Sequence, residues 1–227
     1  MTRYGISIIG LAAVLAATPA LAQDAGASQG DSRVTAAVSG GTLGIGPELG
    51  FRVSDSFGVR ANAMFLGFGT DFDSDGVEYE GNLNLESYGA MVDVYPFGGS
   101  FRVSAGARIN KNRGRVTATP TGPVEVGETT YTPAQIGTLR GRAEVKDFAP
   151  ALTLGWGGSN RRGFLFGFDA GVLFQGGVRI RQFTASGSSA NDPNFRASLE
   201  QERREIQEDV DDYKLYPIVQ LTLGYRF

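Results

Sequence analysis

From Tyr213 to the carboxy-terminus every second residue is apolar or aromatic: Tyr213, Leu215, Pro217, Val219, Leu221, Leu223, Tyr225 and Phe227. Strict period two is the signature of a strand with one apolar side. The intervening residues, Lys214, Tyr216, Ile218, Gln220, Thr222, Gly224 and Arg226, are mostly small or polar. A soluble sandwich would bury the apolar set and wet the other. A strand that turns its apolar set to lipid and its polar set inward is built for a membrane barrel.

The same pattern recurs upstream. Leu43, Ile45, Pro47, Leu49, Phe51 and Val53 alternate with Gly44, Gly46, Glu48, Gly50 and Arg52, and a turn at Ser54-Asp55-Ser56 leads into Phe57, Val59, Ala61, Ala63 and Phe65. After a polar loop from Thr70 to Glu80 come Tyr88, Ala90, Val92, Val94 and Pro96. Phe97-Gly98-Gly99-Ser100 turns the chain into Phe101, Val103, Ala105, Ala107 and Ile109. A Pro, Thr and Gly-rich segment over 117–138 precedes Phe148, Pro150, Leu152, Leu154 and Trp156, and after 157–163 follow Phe164, Phe166, Phe168, Ala170, Val172 and Phe174. These give seven strands. A bacterial single-chain barrel has an even number, so Arg33 to Ser39, with Val34, Ala36 and Val38 alternating before Gly40-Gly41, supplies the eighth. The expected fold is all-β: an eight-stranded antiparallel up-and-down transmembrane β-barrel.

Connections at 54–56, 97–100 and 157–163 are short, whereas those at 70–80, 117–138 and 186–212 are long. Outer-membrane barrels show that asymmetry between inner turns and outer loops. Phe51, Phe57, Phe97, Phe101, Trp156, Phe164, Tyr225 and Phe227 sit near short turns or the terminus and predict an aromatic girdle at the inner interface. Within the last long loop Asp192-Pro193 is a helix start, and Phe195, Leu199, Ile206 and Val210 recur at helical spacing among Glu200, Arg204 and Glu208. This predicts one amphipathic helix over 193–211, about 27 Å long, packed over the barrel mouth or against its outer rim.

Arg3, the apolar run from Ile6 to Ala17 and Ala20-Leu21-Ala22 before Gln23 make 1–22 a secretory signal peptide. Residues 23–32 are a small, polar tail, and 33–227 form the barrel. The chain contains neither cysteine nor histidine. Disulfides, thiolate metal sites and cysteine nucleophiles are thereby excluded, and so are the usual general base and the usual zinc ligand. With 21 basic and 24 acidic residues, net −3, there is no nucleic-acid signature.

The signal peptide, the alternating hairpins, the short turns and the terminal Tyr225-Arg226-Phe227 resemble small bacterial outer-membrane barrels of the OmpA, OmpX and OmpW kind. A closer likeness is to a branch of proteobacterial barrels of this size. It lies in Leu43-Gly44-Ile45-Gly46 with Glu48, in Tyr95-Pro96-Phe97-Gly98-Gly99, and in Tyr216-Pro217 to Phe227. The resemblance implies location and assembly rather than a task. It implies outer-membrane lipid, lipopolysaccharide and the barrel-assembly machinery as partners, with Tyr225 and Phe227 as the assembly signal. No peptidoglycan-binding domain is expected after the barrel, so wall anchoring is not implied.

Two constellations are candidates for function. Glu48, Arg60, Asp93, Arg102, Arg108, Asp147, Asp169 and Arg226 all fall on inward positions. An eight-stranded interior is just wide enough for side chains to fill, so these charges make either a paired plug or the lining of a narrow path for water or small ions. Asp71, Asp73 and Asp75, followed by Gly76, have the opening of a calcium loop, but position twelve is Asn82 in place of the bidentate Glu. The plainer reading is an acidic loop tip, and no cofactor is expected. The leading functional expectation is a non-catalytic outer-membrane protein with a structural or surface-interaction role. A small-solute channel is the alternative. A lipid-modifying enzyme would have to work with a carboxylate or lysine base, and a secreted soluble binding barrel would need the two faces exchanged.

Overall fold

The computed structural model describes residues 33–157 and 162–227. The proposed signal peptide and tail, and the centre of the 157–163 turn, lie outside the described residues. In chain order the elements are β1 (Val34–Gly41), β2 (Gly44–Arg52), β3 (Phe57–Ser74), β4 (Val77–Val94), β5 (Phe101–Asn110), β6 (Arg113–Pro120), β7 (Val124–Val126), β8 (Thr129–Tyr131), α1 (Pro133–Ile136), β9 (Leu139–Glu144), β10 (Phe148–Trp156), β11 (Gly163–Leu173), β12 (Arg179–Ile180), β13 (Thr184–Ala185), α2 (Pro193–Val210) and β14 (Tyr216–Arg226).

One 12-stranded sheet contains all the strands except the β7–β8 hairpin. Eight of the twelve close a ring: β1 pairs with β2, β2 with β3, β3 with β4, β4 with β5, β5 with β10, β10 with β11, β11 with β14, and β14 returns to β1, every pair antiparallel. The strand expected over Arg33 to Ser39 is β1, displaced by one residue at its start and running on through Gly40 and Gly41. Its turn falls at Thr42-Leu43 instead. Leu43 therefore tucks inward, 4% exposed, where outward was expected. Inward Gly106 and Gly171 let so small a ring curve, because a Cβ at either would collide with the backbone of the adjoining strand.

Registers across the sheet show what the alternation means. Val59, Val92, Ala105 and Leu152 lie in one outward row, then Ala61, Ala90, Ala107 and Pro150, then Ala63, Tyr88, Ile109 and Phe148. The next row holds Phe65 and Glu86, with Lys111 donating its backbone N–H to the Glu86 carbonyl. Above it come Gly67, Asn84, Arg113 and Glu144, then Gly69, Asn82, Arg115 and Arg142, then Asp71, Glu80, Thr117 and Arg140. Within one row the outward face changes from hydrocarbon to charge. The inward face changes in the opposite sense at the same height. Below are Arg60, Asn62 and Ser87; above are Leu66 and Leu85, then Phe68, Leu83 and Ala143, then Phe72, Tyr79 and Leu139.

The upper rows correct the expected loops. Thr70 to Glu80 is not a loop but the continuation of β3 and β4, which turn at Asp75 (φ 51°) and Gly76 (φ 77°). Two consecutive left-handed residues are what a tight hairpin turn demands, and Asp-Gly supplies them. Much of the 117–138 segment is likewise structured. β6 continues β5 along β4 in unbroken register: Ser87 opposes Asn110 and Asn84 opposes Arg113, with only Lys111-Asn112 interrupting. β9 continues β10 in the same way, Ile109 opposing Phe148 and Arg113 opposing Glu144. The ring therefore carries on one side a wall built from the upper parts of β3 and β4 with β6, β9, β12 and β13.

Helix α2 closes over the inner face of this wall. Asp192 caps it, its carboxylate accepting from the Asn194 and Phe195 N–H groups, with Pro193 in the first turn. Phe195 and Leu199 bury against Val126, Tyr131 and Ile136. Phe195 meets Tyr131 edge to face at 4.7 Å. Glu200 pairs with Arg203 at 2.7 Å and with Arg204 at 3.3 Å. Hydrogen bonds from Arg203 and then Arg204 hold its carboxyl down at about 2. Between α2 and the wall lies a cavity of about 540 Å³ lined by Phe68, Val77, Tyr79, Val116, Leu139 and Phe183 among others.

Candidate functional site

The ring interior gathers buried charge. Strand parity turns Glu48 of β2, Arg60 of β3, Asp93 of β4, Arg102 of β5 and Asp169 of β11 toward the axis, and all five are buried. Arg60 is the hub. Its Nε lies 2.7 Å from Asp93 Oδ2, and its Nη1 lies 3.2 Å from Asp169 and 3.5 Å from Glu48. Arg102 grips Asp169 with two hydrogen bonds, Nε at 3.1 Å and Nη2 at 2.6 Å. Such a two-pronged contact fixes geometry as well as charge. Ser104 donates to Asp93 at 2.6 Å and accepts from Arg60 at 3.1 Å.

Arg108 stands one layer higher, its guanidinium donating to Asn62 at 2.7 Å and to the Ser87 hydroxyl at 2.9 Å, while Asn62 donates to Glu48 at 3.2 Å. Arg226 sits at the lower rim, bonded to Thr35 and to the Gly157 carbonyl. Asp147 does not join them. It occupies the bend between β9 and β10, is exposed, and contributes its backbone carbonyl to the Asn110 N–H at 2.6 Å. The strand parity that predicts an inward carboxylate fails because the strand is interrupted there.

Several participants escape a reading that singles out charge alone. Ser104, Asn62 and Ser87 complete the hydrogen bonding, and buried Tyr95 lies 3.8 Å beneath the Arg52 guanidinium. Arg52 also donates to the Asp55, Gly98 and Gly99 carbonyls, tying two of the short turns together. Above the charges lies an apolar layer of Leu43, Met64, Met91, Ala149, Ala151, Leu173 and Ile218. It is not visible as a group in the sequence because its members are scattered among glycines and polar residues on five strands and one turn. Among the charges lies a void of about 20 Å³, room for a single water molecule.

The calcium-loop candidates are placed apart. Asp71 and Asp73 face outward along extended β3, opposite Glu80 and Glu78, and Asp75 is at the turn. Alternate residues of a strand are about 7 Å apart, whereas a calcium loop must curl its carboxylates around one point. Among the described residues no group of three or more acidic side chains is placed to hold a metal ion.

Aromatic side chains gather at the short-turn end. Phe97, Phe101 and Trp156 form one chain of contacts at 5.9 and 5.0 Å, and Phe164, Tyr225 and Phe227 another at 5.5 and 5.0 Å. Phe164 is 95% exposed and Phe97 81%, which water alone would penalise.

No family model and no curated protein matches the chain. Solved structures that share its fold include two from Acinetobacter baumannii. The crystal structure of Acinetobacter baumannii CarO aligns with a TM-score of 0.57 at 19% identity, covering 86% of this chain and 98% of that one. Acinetobacter baumannii CarO2 aligns with a TM-score of 0.57 at 17% identity, covering 87% and 100%. At such identities the likeness is one of architecture, and it spans nearly all of both proteins: this chain folds as the CarO proteins do.

Proposed function

We propose that this chain is an integral outer-membrane protein, an eight-stranded transmembrane β-barrel exported by its signal peptide, with a structural or surface-interaction role and no catalysis. The observation that carries this reading is the reversal of polarity in a single row. Ala63, Tyr88, Ile109 and Phe148 are the last outward apolar row, and the charged rows begin immediately above it. From Phe101 to Ile109 the outward apolar band runs eight residues, about 26 Å along the strand, near the height of a barrel's hydrocarbon belt. A water-soluble barrel has no reason to present Val92, Leu152 and Leu154 outward and bury Arg60 and Arg102.

The plug supports a barrel that does not conduct. Arg60, Arg102 and their three carboxylates fill the bore, and the apolar layer above offers water no partners. In planar bilayers the purified protein is expected to give no steady conductance steps. Regular, salt-dependent steps would instead favour the narrow-channel reading. Buried Thr153 and Gln220, whose side chains lack protein partners, are the groups that a file of water through the bore would serve.

Phe227 is proposed as the residue read by the assembly machinery. Its backbone N–H is held by the Val34 carbonyl at 2.9 Å, beside the β1–β14 seam that closes the ring. Phe227→Ala is expected to lower the amount of heat-modifiable protein in the outer membrane several-fold while leaving export intact. An unchanged yield would remove the terminal aromatic from assembly.

A further inference from the structure

We infer that the outward face of β6 and β9 is a binding site for phosphorylated lipopolysaccharide head groups, read by Arg113, Arg115, Arg140 and Arg142. The inference rests on the outer-membrane placement proposed above and assigns it a specific lipid contact.

The registers bring the four together. Arg115 and Arg142 are directly opposite on paired strands, Arg113 opposes Glu144, and Arg140 opposes Thr117. All four are exposed. Like charges directly opposite in a sheet are destabilising, so the Arg115–Arg142 pair is a cost the wall carries in isolation. The carboxylates nearby are already engaged. Glu144 accepts two hydrogen bonds from Arg181, at 2.9 and 2.7 Å, and these, with the nearby charges of Arg113 and Arg142, hold its carboxyl below the ordinary range. Glu86 lies 3.9 Å from Lys111 and accepts from the Tyr88 hydroxyl at 3.1 Å. Among the described residues no carboxylate hydrogen-bonds any of the four arginines.

Their height selects the partner. Ile109 and Phe148 are the last lipid-facing residues of these strands, and Arg113 and Arg115 follow Ile109 by four and six positions, ~13–20 Å along the strand. A tilted strand carries those side chains into the polar layer just outside the hydrocarbon. What surrounds a protein laterally at that depth in an outer leaflet is the phosphorylated base of lipopolysaccharide. Planar guanidinium forks suit phosphate, and two facing strands present them at a spacing that one phosphate can bridge. The neighbouring sector of the wall excludes the same partner, since Asp71, Asp73, Glu78 and Glu80 cover it at the corresponding and next rows.

The test uses the folded protein in detergent micelles, with native mass spectrometry reading bound lipopolysaccharide. Wild type is expected to retain phosphorylated lipopolysaccharide, the quadruple Arg→Gln variant at these positions to lose at least about tenfold in affinity, and the quadruple Arg→Lys variant, which keeps the charge but not the planar fork, to bind between the two. Without lipopolysaccharide the Arg115→Gln/Arg142→Gln pair should be no less stable than wild type, which also serves if the quadruple variant does not fold. Equal binding by the Gln variants, or equal binding of dephosphorylated lipopolysaccharide, would overturn the site. Binding of inorganic phosphate alone as tightly as lipopolysaccharide would also overturn it, as a free-anion site. Each variant is run beside a heat-modifiability gel. Loss of the heat shift in wild type would defeat the membrane reading itself, whereas a preserved shift without phosphate-dependent binding defeats only the arginine site.

Discussion

Replacing Asp169 by asparagine is expected to lower the unfolding free energy by about 3–5 kcal/mol, the range for removing one partner of a buried ion pair. Arg102 makes its salt bridge to Asp169 and is 3% exposed. An amide would leave that guanidinium buried without a carboxylate and would also strip Arg60 of one of its three acids. Glu48→Gln should be milder, since its contact with Arg60 is longer at 3.5 Å and Arg60 keeps Asp93. The companion variant is Asp169→Leu with Arg102→Met. Replacing both members of a buried pair by apolar groups of similar size can be near neutral, so the double change should recover much of the loss. Urea unfolding in lipid vesicles, followed by the heat-shift gel, measures all three. A loss below about 1 kcal/mol for Asp169→Asn would place it among surface pairs in energetic terms and would remove the plug from the account of stability.

The second large effect tests where the membrane is. Leu152 is in the middle of the outward apolar band, beside Ala105 and Val172. Leu152→Arg should destabilise the folded, inserted protein by about 2–4 kcal/mol, the cost of arginine at a barrel's lipid-facing midplane. Thr119→Arg, on the same sheet above the polarity reversal and opposite Glu78, should stay within about 0.5 kcal/mol, as surface substitutions do. If both cost the same, the reversal of polarity at the Ile109 row does not mark a lipid boundary. Running both in vesicles and in detergent separates the lipid contribution, which should be largest in vesicles.

How much of this was legible in the chain depended on which side of that row a residue occupies. Below it the outward residues are apolar and the inward ones small or charged, so period two was plain in β2, β5, β10, β11 and β14 and gave the strands almost residue by residue. Above it the same strands exchange their faces. Asp71, Asp73, Glu78 and Glu80 then read as a soluble loop, although Phe72 and Tyr79, stacked at 5.0 Å on the other face, belong to a strand pair. The Asp75-Gly76 pair was a hairpin signal overlooked beside the calcium-loop resemblance. β6 and β9 were missed because Arg, Thr and Gly dominate them, and their pairing depends on β4, some 35 residues away from β6 in the chain. The inward charges followed from parity, and Asp147 shows the limit of that rule at a strand break. The apolar layer around Met64 and Leu173 required the closed ring, because only closure brings inward side chains from opposite strands into contact.

Among the described residues the sheet wall that rises from β3, β4, β6 and β9 has no counterpart strands over β1, β2 and β14, which end near the polarity reversal. In the membrane placement proposed above, the molecule consequently has a front and a back. A neighbour arriving from one side meets a tall charged screen, and one arriving from the other meets a lower rim. Crowded copies would therefore not meet with equal ease in every direction: rotation about the barrel axis, which leaves a symmetrical cylinder unchanged, becomes for this protein a variable that decides which surface a neighbour can reach.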